Sequence, residues 1–358
     1  MATEMKALTD YEPAELAEAL RRAGHKPSHA HRLLRRMYQR PHEFEIPAAQ
    51  FGRGLTDWLA KNLRTRQSRI VRRTTAADGT VKVLVGFEGG GAAEAVLMPA
   101  YDGRRAAGCV SSQIGCAMGC DFCASAIGGL ERNLSAGEIV EQFLWLRQLA
   151  WEMHRRLSTL VFMGMGEPMH NLDHVIAAIR RIAGPELGEL GGRQITVSTV
   201  GIVPGIDALA EADLNVHLAV SLHAPDDDTR RQIIPAAKRY RVAEILDAVR
   251  RFQARTGRIP TIEYTLLAGV NDSDEQARLL ATVLEGMRVH VNVIPYNPTG
   301  LGVGGRVYQR PTEHRTGSFV AILRSEGVAA HIRRPRGDDV NAACGQLRRQ
   351  AAASAGAR

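Results

Sequence analysis

From residue 159 onward, six short apolar runs punctuate the chain. They are TLVFM (159–163), QITVST (194–199), VHLAVSL (216–222), TIEYTLL (261–267), HVNVIPY (290–296) and VAAHI (328–332). Each has the length and composition of a buried strand. Between them lie segments that read as helices, over 135–155, 171–183, 242–256, 273–286 and 312–326. This alternation predicts repeated βα units and a parallel sheet. Six units are too few to close an eight-stranded barrel, so an open barrel and a doubly wound sheet both fit.

Upstream the period changes. TVKVLVGF (80–87) and AEAVLMP (93–99) flank the glycine-rich EGGGA and read as a hairpin or small sheet. The first 65 residues read instead as amphipathic helices. One spans 13–24, with Leu16, Leu20 and Ala23 at helical spacing and Gly24 as a stop. A second runs from His29 to Arg40, and a third from Thr56 to Asn62. The expected organisation is a helical unit at 1–65, a small β extension at 66–108, the alternating βα region at 109–347 and a mobile tail at 348–358.

Composition narrows the class. Of the 358 residues, 45% are hydrophobic and 23% charged, which excludes a disordered, collagenous or coiled-coil chain. No apolar run approaches the roughly 18 residues of a membrane span. The opening MATEMKALTDYEPAEL lacks an apolar signal region, so the expected compartment is the cytoplasm. The net charge of +8 permits a polyanionic partner. Basic candidates for such contacts are Arg21, Arg22, Arg32, Arg35 and Arg36, the run from Arg64 to Arg73, and Arg333, Arg334 and Arg336. Any single one also reads as a solvated surface charge.

The five cysteines point to chemistry. Cys116, Cys120 and Cys123 form C-x3-C-x2-C, while Cys109 lies just upstream and Cys344 near the far end. Three thiolates on one loop can hold three irons of a [4Fe–4S] cubane and leave the fourth open to a small molecule. A zinc site completed by Cys109 or Cys344 is the structural alternative.

The C-x3-C-x2-C with Phe122 before its last cysteine resembles the signature of radical S-adenosylmethionine enzymes. CVSSQIGC, RNL, FMGMGEPMHN, STVGIVPGI, SLHAPDDDTR, IEYTLLAGVND, NVIPYNP and RGDDVNAACGQL, in that order, resemble the RlmN/Cfr family of RNA adenine methyltransferases. The resemblance implies a partial (βα)6 barrel with a small helical N-terminal domain, in agreement with the strand count.

By that resemblance, Cys116, Cys120 and Cys123 hold the cluster. Gly166, Glu167, Ser198, Ser221, Leu222, His223 and Asn297 contact S-adenosylmethionine. Cys344 carries a methyl group as S-methylcysteine, Cys109 resolves it through a disulfide, and Glu94 accepts a proton from the base. Taken singly, Ser198, Ser221, His223 and Asn297 read as turn or cap residues, and Glu94 as a solvent-facing strand residue. The implied partners are ribosomal RNA, an adenosine beside the tRNA anticodon, and an electron donor such as flavodoxin or ferredoxin, with the enzyme a monomer. GMGEP and RGDDVNAACGQL are similar to the RlmN branch, which methylates carbon 2. Ile127 and Gly128 in ASAIGGLERNL lean toward the Cfr branch, which methylates carbon 8 and confers antibiotic resistance.

Overall fold

A computed structural model describes residues 5–40 and 46–347. The tail expected to be mobile lies outside the described residues. Four helices open the chain: α1 (Pro13–Arg22), α2 (Ser28–Gln39), α3 (Ala48–Phe51) and α4 (Arg53–Asn62). Strands β1 (Ser68–Thr75), β2 (Val81–Phe87), β3 (Ala92–Pro99) and β4 (Arg105–Cys109) follow. The short β5 (Gln113–Gly115) and β6 (Leu130–Asn133) pair with each other and bracket the cysteine loop. The rest runs α5 (Ala136–Glu152), β7 (Arg156–Phe162), α6 (Leu172–Ala183), β8 (Ile195–Thr199), α7 (Val203–Glu211) and β9 (His217–Ser221). Then come α8 (Asp227–Ile233), α9 (Val242–Thr256), β10 (Thr261–Leu266), α10 (Asp274–Val283), β11 (His290–Pro295), α11 (Glu313–Ser325) and β12 (Ala329–Ile332).

Local chemistry sets the helix ends. Ser135 and Glu138 form a reciprocal capping box that starts α5, with Glu138 N–H to Ser135 Oγ at 3.1 Å and Ser135 N–H to Glu138 Oε2 at 2.8 Å. The Asp226 carboxylate caps α8 by accepting the Thr229 N–H at 2.7 Å. At the end of α9, Gly257 takes the left-handed conformation that stops a helix.

One ten-stranded sheet organises the molecule, in the order β1-β2-β3-β4-β7-β8-β9-β10-β11-β12. From β4 to β12 every pairing is parallel, and helices make the crossovers. Since β12 does not pair back onto β4, the barrel is partial. The first three pairings are antiparallel, so the hairpin continues the barrel sheet. Their register decides which side chains meet. Lys82 lies opposite Val96, Leu84 opposite Glu94, and Val96 opposite Cys109. Alternation along each strand therefore puts Lys82, Glu94, Val96 and Cys109 on one face. Val81, Val83 and Val85, on the other face, are fully buried in the main core.

The N-terminal helices share that core: Leu16, Leu20, Leu33, Leu34 and Tyr38 belong to it. Two buried polar groups fasten them. Arg181 of α6 donates to the Thr9 carbonyl oxygen at 2.6 Å and to Glu12 Oε1 at 2.9 Å. Glu141 of α5 accepts from Thr9 Oγ1 at 2.8 Å, the Gln67 N–H at 3.0 Å and Ser68 Oγ.

Several elements depart from the periodicity, the short β4, β5, β6 and α3 among them. β1 lies where the sequence shows a basic run, because an edge strand presents Arg69, Arg72 and Arg73 to solvent. α7 opens with Val-Pro-Gly, which reads as a turn, yet proline suits the first turn of a helix. α8 has only seven residues, too few for a period to show. Among the described residues, no helix is long and apolar enough to cross a membrane.

Candidate active site

The C-terminal ends of β7 to β11 and the cysteine loop surround a cleft of about 920 Å³, counting its open mouth. Cys116, Cys120 and Cys123 form one wall. Cys120 is buried and the other two nearly so. The Cys116 sulfur faces the backbone N–H groups of Met118 and Gly166, and the Cys123 sulfur those of Ser125 and Ala126. Burial pushes the Cys116 thiol up to about 12 and raises the other two. A bound cation reverses this by favouring thiolate.

The turn Gly164–Glu167 after β7 lines the same cleft, with the Gly166 N–H against the Cys116 sulfur. Gly166 has φ +97°, and a Cβ there would stand 2.5 Å from Gln113 Cβ. Only glycine lets the chain run this close to the preceding loop. Glu167 is buried; its carboxylate accepts the Met169 N–H at 3.0 Å and the Val200 N–H at 2.8 Å. Burial pushes it up to about 7. A positive charge in the cleft would therefore find a desolvated carboxyl partner.

Ser198, Ser221, His223 and Asn297 also line the cleft. The Ser198 hydroxyl donates to the Phe162 carbonyl oxygen at 2.6 Å. His223 holds a left-handed backbone (φ 60°) and accepts the Thr265 N–H on Nδ1 at 2.9 Å. Burial pushes it down to about 3, so the ring is neutral with its proton on Nε2. Its ring meets that of Phe122 edge-on at 4.9 Å. Leu222 is fully buried off the wall, and its carbonyl oxygen accepts Arg230 Nε at 3.0 Å.

A second cavity of about 510 Å³ shares Met163, Ile294, Asn297, Arg333 and Cys344 with the first. Cys109, Val96 and Met98 line its far side. Cys344 thus stands at the junction. Its segment is held by Asn297 Nδ2 on the Cys344 carbonyl oxygen at 3.1 Å, the Ala124 N–H on that of Gly345 at 2.7 Å, and Ser125 Oγ on that of Leu347 at 2.5 Å. Burial, with Cys344 nearby, pushes Cys109 up to about 12. Both cysteines are free thiols, so the disulfide implied by the resemblance is absent from this structure.

Glu94 is 1% exposed, against the expectation of a solvent-facing residue, because the register turns it inward; Lys82 Nζ stands 3.1 Å from its Oε1. It is not on the wall of either cavity. Two cleft residues escaped the sequence reading or were misplaced by it. Arg333, a candidate phosphate contact, lies instead between the cavities, 3.5 Å from Glu263. Glu263 is buried on β10, with burial raising its carboxyl. Arg336 is likewise engaged, with Asp78 at 2.7 Å.

The donor set fits an iron–sulfur cluster with S-adenosylmethionine beside it: three thiols face one cleft that a glycine turn and a buried carboxylate also line. Among the described residues, no group of three or more His, Cys, Asp or Glu side chains is gathered so as to hold a single metal ion. A cubane makes a different demand, since each thiolate takes its own iron.

Residues 110–281 match the Radical SAM superfamily. A probable dual-specificity RNA methyltransferase RlmN 1 of Opitutus terrae is 53% identical over 342 residues, covering 96% of each chain. The chain belongs to the RlmN family. A further probable dual-specificity RNA methyltransferase RlmN, from Thermus thermophilus, is 46% identical over 297 residues, 82% of this chain and 81% of that one. The crystal structure of a radical SAM methyltransferase from Sphaerobacter thermophilus superposes with a TM-score of 0.90 at 41% identity, over 96% of this chain and 99% of that one. As an RlmN-family enzyme the protein is a radical S-adenosylmethionine RNA methyltransferase, and its cofactors are a [4Fe–4S] cluster and S-adenosylmethionine. Membership sets aside the zinc alternative.

Proposed function

We propose that the protein methylates carbon 2 of an adenosine in large-subunit ribosomal RNA and of an adenosine in tRNA. The observation that carries this reading is the 53% identity, over nearly the whole chain, with a relative named as a dual-specificity RNA methyltransferase RlmN. Carbon 8 is not favoured, because the similar relatives at 42–53% identity carry the RlmN name.

Cys116, Cys120 and Cys123 hold the cluster, and Gly166, Glu167, Ser198, Ser221, His223 and Asn297 hold S-adenosylmethionine, while the Leu222 side chain lies behind that wall. When bound, these cofactors supply a methyl group and a radical that abstracts hydrogen. Glu167 receives the substrate ammonium on a desolvated carboxylate. His223 contributes a neutral ring, so no imidazolium competes for that site. Cys344 carries the methyl group as S-methylcysteine at the junction of the two cavities. Glu94, on the same sheet face as Val96 and Cys109 of the smaller cavity, takes the ring proton once the bound RNA base opens that wall to it. Cys109, on the far side of the smaller cavity, attacks the Cys344 sulfur; the Cys109–Cys344 disulfide forms as the carbon–sulfur bond breaks, and the departing carbon keeps the electron pair and takes up a proton to become the methyl group of the base. Residues 1–65 form an RNA-binding accessory unit. A small cytoplasmic electron-transfer protein such as flavodoxin or ferredoxin reduces the monomeric enzyme.

The test is anaerobic turnover of the reconstituted protein with S-adenosylmethionine, a reductant and protein-free large-subunit RNA, then mass spectrometry of the nucleosides. 2-Methyladenosine is expected. 8-Methyladenosine would overturn the assignment of the carbon.

A further inference from the structure

Lys82 is one of only five lysines among 46 basic residues, and it sits on the inward face of β2 with 12% of its side chain exposed. Its ammonium makes two contacts that belong to different parts of the site. One is Glu94 Oε1 at 3.1 Å, on the adjacent strand β3. The other is the carbonyl oxygen of Asn341 at 3.0 Å, three residues before Cys344. Asn341 takes a left-handed backbone (φ 52°), where the chain turns toward Cys344. The turn between β1 and β2 also meets this segment. The Ala77 N–H donates to Asp339 Oδ2 at 2.9 Å, and Arg336 Nε to Asp78 Oδ2 at 2.7 Å.

We propose that Lys82 is a positioning residue for proton removal, orienting the Glu94 carboxylate through its ammonium contact and fixing the strand that bears it against the segment that bears Cys344. This rests on the reading of Glu94 as the base and Cys344 as the carrier. The geometry explains the residue type. An ammonium is a compact charge with donors that serve a carboxylate and a carbonyl at once. In the step served, the ring carbon–hydrogen bond breaks heterolytically: its proton passes to Glu94 and its electron pair stays in the ring. The unpaired electron left by radical addition would pass to the oxidised iron–sulfur cluster, and that one-electron loss restores aromaticity.

The test compares Lys82→Met, Lys82→Gln and Glu94→Gln in the full-length reconstituted enzyme, using RNA whose target adenosine carries deuterium at carbon 2. Both Lys82 variants are expected to turn over roughly 10–100-fold more slowly, with an enlarged deuterium effect and Cys344 still methylated. In the protein before turnover, hydrogen exchange of residues 338–346 should rise in both. If Glu94→Gln keeps full turnover, Glu94 is not the base and the reading beneath the proposal fails. If Glu94→Gln is blocked while the Lys82 variants match the unaltered enzyme, or slow without any change in the deuterium effect, the role assigned to Lys82 is wrong. Lys82→Gln retains a donor and decides the matter should Lys82→Met not fold.

Discussion

Asn297 donates from Nδ2 to the carbonyl oxygen of Cys344 at 3.1 Å, while its own Oδ1 accepts Arg310 Nη2 at 2.8 Å. One amide thus joins the loop after β11 to the segment carrying the fifth cysteine. Replacing Asn297 with Ala leaves that carbonyl short of a donor, at a cost of about 1–3 kcal/mol. The expected result is a lower fraction of methylated Cys344, read by peptide mass spectrometry, with iron content unchanged. Unaltered methylation would show that Asn297 does not hold the carrier.

Gly166→Ala puts a methyl group 2.5 Å from Gln113 Cβ on a backbone with φ +97°. The turn must open, at about 1–3 kcal/mol. Weaker S-adenosylmethionine binding by calorimetry, with a small loss of thermal stability, is expected. Binding equal to that of the unaltered protein would remove the turn from the cofactor site.

The cysteines should divide into two classes. Cys120→Ala is expected to lose the brown colour and the iron. Cys109→Ala is expected to keep both yet leave RNA covalently attached, visible as a shifted band on a denaturing gel. Repeated release of methylated RNA by Cys109→Ala would reassign the resolving thiol.

Burial pushes Glu141 from an ordinary 4.5 up to about 7, against hydrogen bonds from Ser68, Gln67 and Thr9 and the charge of Arg66, all of which favour the ionised form. The folded protein therefore keeps a proton that the unfolded chain releases. Its contribution is fully present below about pH 4.5 and is lost as pH rises to about 7. The stability difference between the unaltered protein and Glu141→Gln, from denaturant midpoints, should fall across that window by a few kcal/mol. A flat difference would mean that Glu141 is ionised throughout.

Much of the architecture is legible in the chain because buried parallel strands are continuous apolar runs, and all six runs from TLVFM to VAAHI are strands. The edge strand β1 is not legible, since a strand with one solvent-facing side and three arginines has no apolar signature. In the site, local spacing announces the C-x3-C-x2-C loop and the GMGEP turn. Lys82 and Glu263 escape notice, and Glu94, named as a base only through the family resemblance, reads as solvent-facing from its own strand, for one common reason. A charged residue is buried by what lies opposite it in the sheet, and strand register cannot be read from one strand. TVKVLVGF does hold a clue, a single lysine within an otherwise apolar run.

The segment carrying Cys344 contains no strand of its own and is held by side chains and loops that precede it. It is therefore the last part of the site to leave the ribosome, long after the cluster loop. Until it docks, the cleft lacks its Cys344 and Gly345 side. The three cysteines are thus reachable through an open face before the residue that carries the methyl group closes it.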